Sequence, residues 1–196
     1  GLLVLATMMV AGPRLQADTE IVGGIEWSFV VIDDKAWVGS GFQSAISVTT
    51  TGEIVIPSSL GGFPVTEIYD YAFYNCGGLT SVTIPEGVER IGIRAFDSCT
   101  GMTSVSFPST LKQIGIQAFN GSGITSLALP SGLTTICDNA FQVCGKLTNV
   151  VIPSSVKSVG KYAFGWCDGM TNVEISAGVK SIGSGAFAYS SKLMVV

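Results

Sequence analysis

The feature that most constrains the fold of this chain is an internal repeat of about 23 residues. An Ala-Phe pair recurs six times, at intervals of 23, 23, 22, 23 and 23 residues. A unit this short cannot bury its apolar side alone, so successive units must stack and cover one another. The repeat therefore predicts a mainly β solenoid of about six units over residues 54–196, with the first unit irregular. The phenylalanines of the pairs, which we expect to form a buried ladder, are Phe73, Phe96, Phe119, Phe141, Phe164 and Phe187.

Within each unit, two short groups of regularly spaced apolar residues predict two short β-strands. In the unit that starts at Leu147, Val150 and Ile152 alternate with outward positions, as in a strand with one buried face. Pro153 ends this strand because proline has no N–H to donate to a neighbouring strand. The second group of apolar residues is followed by a glycine, where we expect a bend or a positive φ. The Ala-Phe pair comes next, and we expect it to lie on a short helical or 3₁₀ turn. These glycines are Gly92, Gly115, Gly160 and Gly183, and Cys137 takes the equivalent position of the repeat in one unit. We call such an equivalent position a slot.

The complete unit reads L-T-S-V-x-I-P-x-x-V-x-x-I-G-x-x-A-F-x-x-C, and it covers about residues 65–196. It resembles the BspA-type leucine-rich repeat, also called the Treponema pallidum-type repeat. The resemblance implies a curved solenoid with a strand ladder on one face and short turns or strands on the other. Proteins with this repeat are mostly secreted or surface proteins of bacteria and some protozoan parasites, and several are implicated in adhesion. The resemblance supplies no catalytic residue.

Residues 1–17 predict the end of a secretory signal peptide, with cleavage near Ala17. The apolar run at residues 2–10 is too short to cross about 30 Å of hydrocarbon. The alternative for this run is a buried strand or helix. We expect the mature protein to be secreted or held at the cell surface, without inserting into a membrane.

Residues 18–53 lack the repeat and predict an N-terminal β-hairpin-like cap. Two strands, at residues 26–32 and 35–38, flank a turn at residues 33–34. A solenoid needs such an element to cover its first unit, so we expect Trp27 or Trp37 to lie against that unit. The alternative is a small sugar-binding module with exposed tryptophans. At the other end, residues 192–196 fall inside a strand pattern, so we expect the solenoid to be truncated at its C-terminus.

Composition excludes several classes of function. The chain has no histidine, which removes Ser-His-Asp and Cys-His nucleophile pairs and His-ligated zinc. Only 12% of its residues are charged, and the net charge of −4 argues against nucleic acid as a partner. The charge is divided, since residues 18–70 carry eight acidic side chains against Lys35 alone, whereas residues 71–196 carry a small positive excess. We find no enzyme motif and expect no catalytic residue, metal or cofactor.

Four cysteines share one slot, three residues after the phenylalanine of their unit. Serine fills the same slot in two other units, at Ser122 and Ser190. The alternation indicates a requirement for a small buried side chain, and it favours free thiols. Disulfides between neighbouring units are the alternative, because adjacent strands lie about 4.8 Å apart and export permits oxidation. The four cysteines are Cys76, Cys99, Cys144 and Cys167.

The outward side of the first strand is the candidate binding surface. It is rich in hydroxyl and amide side chains and carries almost no charge. Good β propensity and solubility explain such a composition, and the functional interpretation is a face that docks an extended protein or glycan. The candidate ligand-binding residues are Thr80, Ser81, Thr83, Thr103, Ser104, Ser106, Thr125, Ser126, Thr148, Asn149, Thr171 and Asn172.

Two functions remain open at this stage. The first is an exported, non-catalytic binding protein, acting in adhesion or in protein or glycan interaction. It would bind through the outward side of the first strands of the units, which we call the strand face. The second is a structural spacer or stalk that displays another domain.

Overall fold

The computed structural model describes residues 17–41 and 44–193, and these residues form a β-solenoid of about six turns. The predicted signal segment lies outside the described residues, apart from Ala17. The strands are β1 (Asp18–Val22), β2 (Ile25–Ile32), β3 (Lys35–Val38), β4 (Gly52–Val55), β5 (Ser59–Leu60), β6 (Phe63–Ile68), β7 (Leu79–Thr83), β8 (Arg90–Ile91), β9 (Ser104–Ser106), β10 (Gln113–Ile114), β11 (Thr135–Ile136), β12 (Asn149–Ile152), β13 (Ser158–Val159), β14 (Asn172–Ile175) and β15 (Ser181–Ile182).

One long sheet runs along the whole solenoid. Its strand order is β1-β2-β3-β6-β8-β10-β11-β13-β15, with β5 paired to β6. The pairs from β3 onward along this order are parallel, because each repeat returns its second strand to the same side of the stack. The strands β1, β2 and β3 are antiparallel and extend this sheet beyond the first repeat.

The N-terminal strands close one end of the core. The sequence predicted two strands here, and the structure adds a third, β1. Trp27 is fully buried and meets the ring of Phe73 edge to face at 6.3 Å between ring centroids. Trp37 is half-buried, and its ring centroid lies 5.3 Å from that of Tyr69. Neither tryptophan is exposed, so the sugar-binding alternative, which required exposed tryptophans, loses its basis.

The first strands of the units form a second, interrupted ladder. It consists of the parallel sheet β4-β7-β9 and the parallel pair β12-β14. Between them, residues 124–129 form a single β-bridge, Leu127 to Val150, so the predicted strand is wrong at this point. The break directly follows a turn that is one residue shorter than the others, with five rather than six residues from Phe119 to the next ladder position at Ile124.

The turn that carries the Ala-Phe pair contains no helix among the described residues, so the predicted helical or 3₁₀ turn is wrong. Residues at positive φ recur within it, and in the first unit these are Tyr71 (φ 62°) and Asn75 (φ 60°). Alternate N–H groups close turns within the unit, whereas those between them donate to the next unit. Phe73 N–H, for example, donates to the Ala95 carbonyl at 2.7 Å, and Tyr74 N–H donates to the Tyr71 carbonyl. A continuous helix would direct all of these donors within its own unit.

The glycines after the second strand serve a different purpose from the one that the sequence suggested. Gly92, Gly115, Gly160 and Gly183 are absent from the described residues with positive φ. Instead, each packs against the backbone of the preceding unit. A Cβ atom at Gly160 would lie 2.3 Å from the Asp138 nitrogen, and one at Gly183 would lie 2.4 Å from the Lys161 nitrogen. The slot favours glycine because two units approach each other closely there, although Cys137 occupies it in one unit.

The phenylalanine ladder forms the centre of the core, as the repeat predicted. Successive rings stack with centroids 4.8–5.5 Å apart, and the rings from Phe73 to Phe164 are fully buried. Phe187 is only half-buried because none of the described residues stacks on the last unit. In the same unit, Ile182 is 49% exposed, whereas the equivalent Val159 is 2% exposed.

Candidate functional site

The predicted binding residues lie on the outward side of the interrupted ladder, and eleven of the twelve are exposed, with Ser81 half-buried. The structure brings them together in two patches rather than one. The first patch, which we call the hydroxyl patch, pairs Ser81 with Ser104 and Thr83 with Ser106 across β7 and β9. The second patch places Asn149 opposite Asn172 across β12 and β14. Thr125 and Ser126 lie between the patches, exposed but outside any strand.

The threonine row has a structural role that follows from its hydrogen bonds. Thr103 donates both its backbone N–H and its hydroxyl to the Thr80 carbonyl, at 2.9 and 3.3 Å. Thr125, Thr148 and Thr171 repeat this pair of bonds to the threonine of the preceding unit. The hydroxyl hydrogen is therefore committed, and these side chains offer oxygen lone pairs and methyl groups to a ligand.

The two remaining rows of this face differ in chemistry along the solenoid. Beside the serines and asparagines, Glu53 on β4 is exposed and pairs with Ser81. In the outer row, hydroxyls give way to Val151, which is 48% exposed, and to the exposed Glu174. Charge on the strands of this face is thus confined to its two ends. The middle offers neutral donors and acceptors over a rigid backbone.

The cysteine slot is buried and holds a repeated hydrogen bond. The thiols of Cys99, Cys144 and Cys167 donate to the carbonyl of the phenylalanine one unit earlier, at 3.1–3.2 Å. The hydroxyl of Ser190 makes the equivalent bond to Phe164 at 3.3 Å. All five cysteines of the chain are free thiols in this structure, with Cys137 half-buried and the others buried. Burial raises the pKa of Cys144 to about 12, so this thiol is protonated at neutral pH.

A polar cluster stands where the N-terminal strands meet the repeats. Arg90 makes ion pairs with Glu67 and Asp70, and the Asp70 carboxylate also accepts the Ile93 N–H at 2.7 Å. Burial raises the pKa of Glu67, although the Arg90 guanidinium opposes this shift. These bonds hold the turns of neighbouring units together. The cluster borders a cavity of about 400 Å³ that is also lined by Lys35, Trp37, Thr66 and Glu89.

The long sheet carries an open, mostly apolar groove of about 480 Å³ near its C-terminal end. Its lining includes Ile136, Val159 and the thiol of Cys137, which accepts a hydrogen bond from the Gln113 amide at 3.4 Å. Burial raises the pKa of Cys137, which makes its thiol a weaker nucleophile at neutral pH. Within residues 17–41 and 44–193, no three His, Cys, Asp or Glu side chains converge as a metal site.

Sequence reasoning missed an exposed aromatic cluster on the turn side of the last three units. The ring of Trp166 lies between those of Tyr162 and Tyr189, with centroids 5.4 and 4.5 Å away. Tyr189 is 64% exposed, and the neighbouring Val143 is 52% exposed. A signal was present in the sequence, because the slot two residues after the phenylalanine changes from polar residues or glycine to large apolar ones in these units. We call Val143, Tyr162, Trp166 and Tyr189 the aromatic patch.

Comparison with known proteins identifies the repeat. A family model described as the BspA type leucine rich repeat region matches residues 66–194 in six copies. Among solved structures, a leucine-rich repeat protein of T. pallidum is 25% identical with a TM-score of 0.68, and the match covers 86% of this chain and 88% of that one. A leucine-rich cell surface protein of Faecalibacterium prausnitzii is 27% identical with a TM-score of 0.67, and the match covers 91% of this chain but only 54% of that one.

A third structure shares the fold alone. This leucine-rich repeat protein of Bacteroides capillosus is 23% identical with a TM-score of 0.50, and the match covers 81% of this chain and 99% of that one. No curated protein matches the chain.

Proposed function

The chain belongs to the BspA-type leucine-rich repeat family, and on this basis we propose that it is an exported, non-catalytic protein that binds a protein or glycan ligand on its strand face. The observation that carries the proposal is the hydroxyl patch. Its serine and threonine side chains are held in register by parallel pairing of β7 and β9 and point away from the core. A rigid array of this kind loses little conformational entropy when a ligand binds.

The chemistry of the face suits an extended ligand. Units repeat about every 4.8 Å along the stack, so equivalent side chains form evenly spaced rows. The rows present neutral hydroxyl and amide groups, which cost less to desolvate than charges do. Such a surface favours a polypeptide or glycan that lies across several units and makes many modest hydrogen bonds.

Two observations support a place at the cell surface. The Faecalibacterium prausnitzii relative is described as a cell surface protein, although this chain spans only about half its length. The sequence also begins with the pattern of a signal peptide. In the part of the chain that the structure describes, no helix has the length and hydropathy required to cross a membrane.

The test is a capture experiment with a matched pair of variants. Ser104→Arg places a large charge in the hydroxyl patch, and Ser181→Arg places it at an exposed serine of β15 in the long sheet. The full chain is passed over immobilised mucin, collagen and a glycan array. We expect retention on at least one of these probes, a loss of about tenfold or more with Ser104→Arg, and little change with Ser181→Arg, since one obstructed contact at an interface centre costs about 1.4 kcal/mol or more.

The spacer hypothesis predicts a different result. It draws support from the threonine hydrogen bonds, because they explain the row of hydroxyls by sheet stability alone. A pure spacer is retained by none of the probes, and then the binding proposal is wrong. Equal loss of retention in both variants also counts against the strand face as the binding surface.

A further inference from the structure

The aromatic patch combines exposure with backbone strain. Val143, Trp166 and Tyr189 have φ values of 60°, 56° and 61°, in the left-handed region. Side chains at this φ are uncommon, and a β-branched one such as valine is a marked exception. The three residues are also 52%, 38% and 64% exposed, so a large part of their apolar surface is not covered by the described residues.

The earlier units show that the fold does not demand such residues. The same slot holds Asn75, Ser98 and Gly121, at φ values of 60°, 63° and 65°. Glycine and asparagine accept this conformation readily, and polar side chains suit the exposed position. The last three units therefore carry two costs, strain and exposed apolar surface, that the chain does not offset. Uncompensated costs of this kind are typical of functional surfaces.

The charge around the patch defines its partner. Lys146, Lys161 and Lys192 are exposed and lie within three residues of Val143, Tyr162 and Tyr189 respectively. The exposed Asp168 lies two residues from Trp166, so three lysines stand against one carboxylate within three residues of the patch. A complementary surface is therefore apolar at its centre and acidic around it.

The N-terminal end of the molecule presents such a surface. Ile21 on β1 is 74% exposed and pairs across the strands with Glu26, which is exposed as well. Asp18 and Glu20 are exposed on the same strand, and neither β1 nor β2 contains a lysine or arginine. β1 also lies at the end of the strand order, so among the described residues one of its backbone edges is unpaired in the long sheet.

We propose that the aromatic patch of one molecule binds the acidic strands β1 and β2 of a second copy. Ile21 lies against Trp166 and Tyr189 in this contact, and the acidic side chains of the N-terminal strands face the lysines. The two surfaces are different parts of the molecule, so the contact is heterologous and head to tail. A pair of molecules leaves one aromatic patch and one β1–β2 surface free, so the contact propagates into chains unless the rotation between copies closes a ring.

The test is sedimentation velocity of the full chain over a series of protein concentrations. We expect association that strengthens when salt is lowered from about 0.15 M to about 0.01 M, because the Debye length rises from about 8 Å to about 30 Å. Trp166→Asn removes the central ring and installs a residue that suits the backbone, as Asn75 does in the first unit. Ile21→Lys replaces the exposed apolar side chain of the β1–β2 surface with a positive charge, which the lysines around the aromatic patch repel. Each change is expected to weaken association by about thirtyfold or more, the effect of losing a central contact.

Val151→Asn is the matched control, because Val151 is an exposed apolar residue on the strand face, at 48% exposure. It is expected to leave association unchanged. A chain that stays monomeric at every concentration and both salt levels overturns the proposal. So does association that only Trp166→Asn weakens, because the patch then binds a surface other than β1. Circular dichroism confirms that each variant is folded.

Discussion

At the scale of single residues, the slot shared by cysteine and serine shows how a repeat selects a side chain. The slot must be small because it is buried, and in four units its side chain donates to a phenylalanine carbonyl of the preceding unit. The Cys167 thiol meets the Phe141 carbonyl at 3.2 Å, and the Ser190 hydroxyl meets the Phe164 carbonyl at 3.3 Å. Alanine would fit the space, but it has no side-chain group to donate to the carbonyl. A buried carbonyl without a hydrogen-bond partner costs free energy.

The same burial predicts how the thiols react. Burial raises the pKa of Cys76 to about 11 from an ordinary 9.0, and it raises the pKa of Cys99, Cys144 and Cys167 in the same direction. These thiols are protonated and inaccessible at about pH 8, and only the thiolate attacks an alkylating agent. We expect iodoacetamide to modify the native chain at the half-buried Cys137 alone, and to modify all five cysteines after unfolding, as read by intact mass.

Cys137→Ser is the control for this measurement, and its native form is expected to take up no label. Two or more adducts on the native wild-type chain would show that the cysteine slot opens readily. Fewer than five adducts after unfolding without reductant would show that disulfides form between units.

At the scale of elements, close approach between units determines where glycine is required. The slot after the second strand packs against the preceding unit's backbone, at Gly92, Gly115, Gly160 and Gly183. Positive φ is found elsewhere, at non-glycine residues such as Arg94 and Tyr162 in the turns. Cys137 takes the glycine slot in one unit.

Two alanine substitutions separate these effects. At Gly160, the new Cβ atom would lie 2.3 Å from the Asp138 nitrogen and 2.4 Å from the Cys137 carbonyl carbon. Relief requires the two units to move apart, so we expect Gly160→Ala to lower the free energy of unfolding by about 1–3 kcal/mol or more. At Gly145, nothing lies within 4 Å, and we expect Gly145→Ala to be neutral or to stabilise by about 0.4–1 kcal/mol. Urea denaturation measures both, and equal effects would show that close packing does not explain the glycine row.

The sequence predicted those features that recur in all or nearly all units. The buried phenylalanines, the strand-ending prolines such as Pro153 and the small cysteine slot all recur, so periodicity exposes them. It did not predict the turn geometry, because Tyr71 and Asn75 adopt positive φ without any glycine to mark it. The break at residues 124–129 was also missed, since pairing there depends on the register between units. The aromatic patch was not predicted because a search for repeats detects positions that stay constant from unit to unit. The position two residues after the phenylalanine changes along the chain.

At the scale of the whole molecule, the first and the last described units of the solenoid differ in how they are covered. At the N-terminal end, Trp27 packs on Phe73 and the strands β1 to β3 continue the long sheet. At the other end, Phe187 is half-buried and Ile182 is 49% exposed. Each unit is stabilised by its two neighbours, so a unit with one neighbour opens at a lower free-energy cost.

Amide hydrogen exchange is expected to reveal this difference. In a chain of residues 1–196, the amides of β15 exchange faster than those of β10 and β11, because the last of its units opens without disturbing the others. Trp27→Ala removes a fully buried side chain next to the first unit, a change that costs about 3–5 kcal/mol. Exchange in β6 and β8 then rises by about a hundredfold or more, whereas exchange in β13 changes little, because coupling passes only between neighbours. Phe187→Ala is the control at the opposite end, with its effect confined to the last two units. A uniform rise across all strands in both variants would show instead that the solenoid unfolds as one cooperative body.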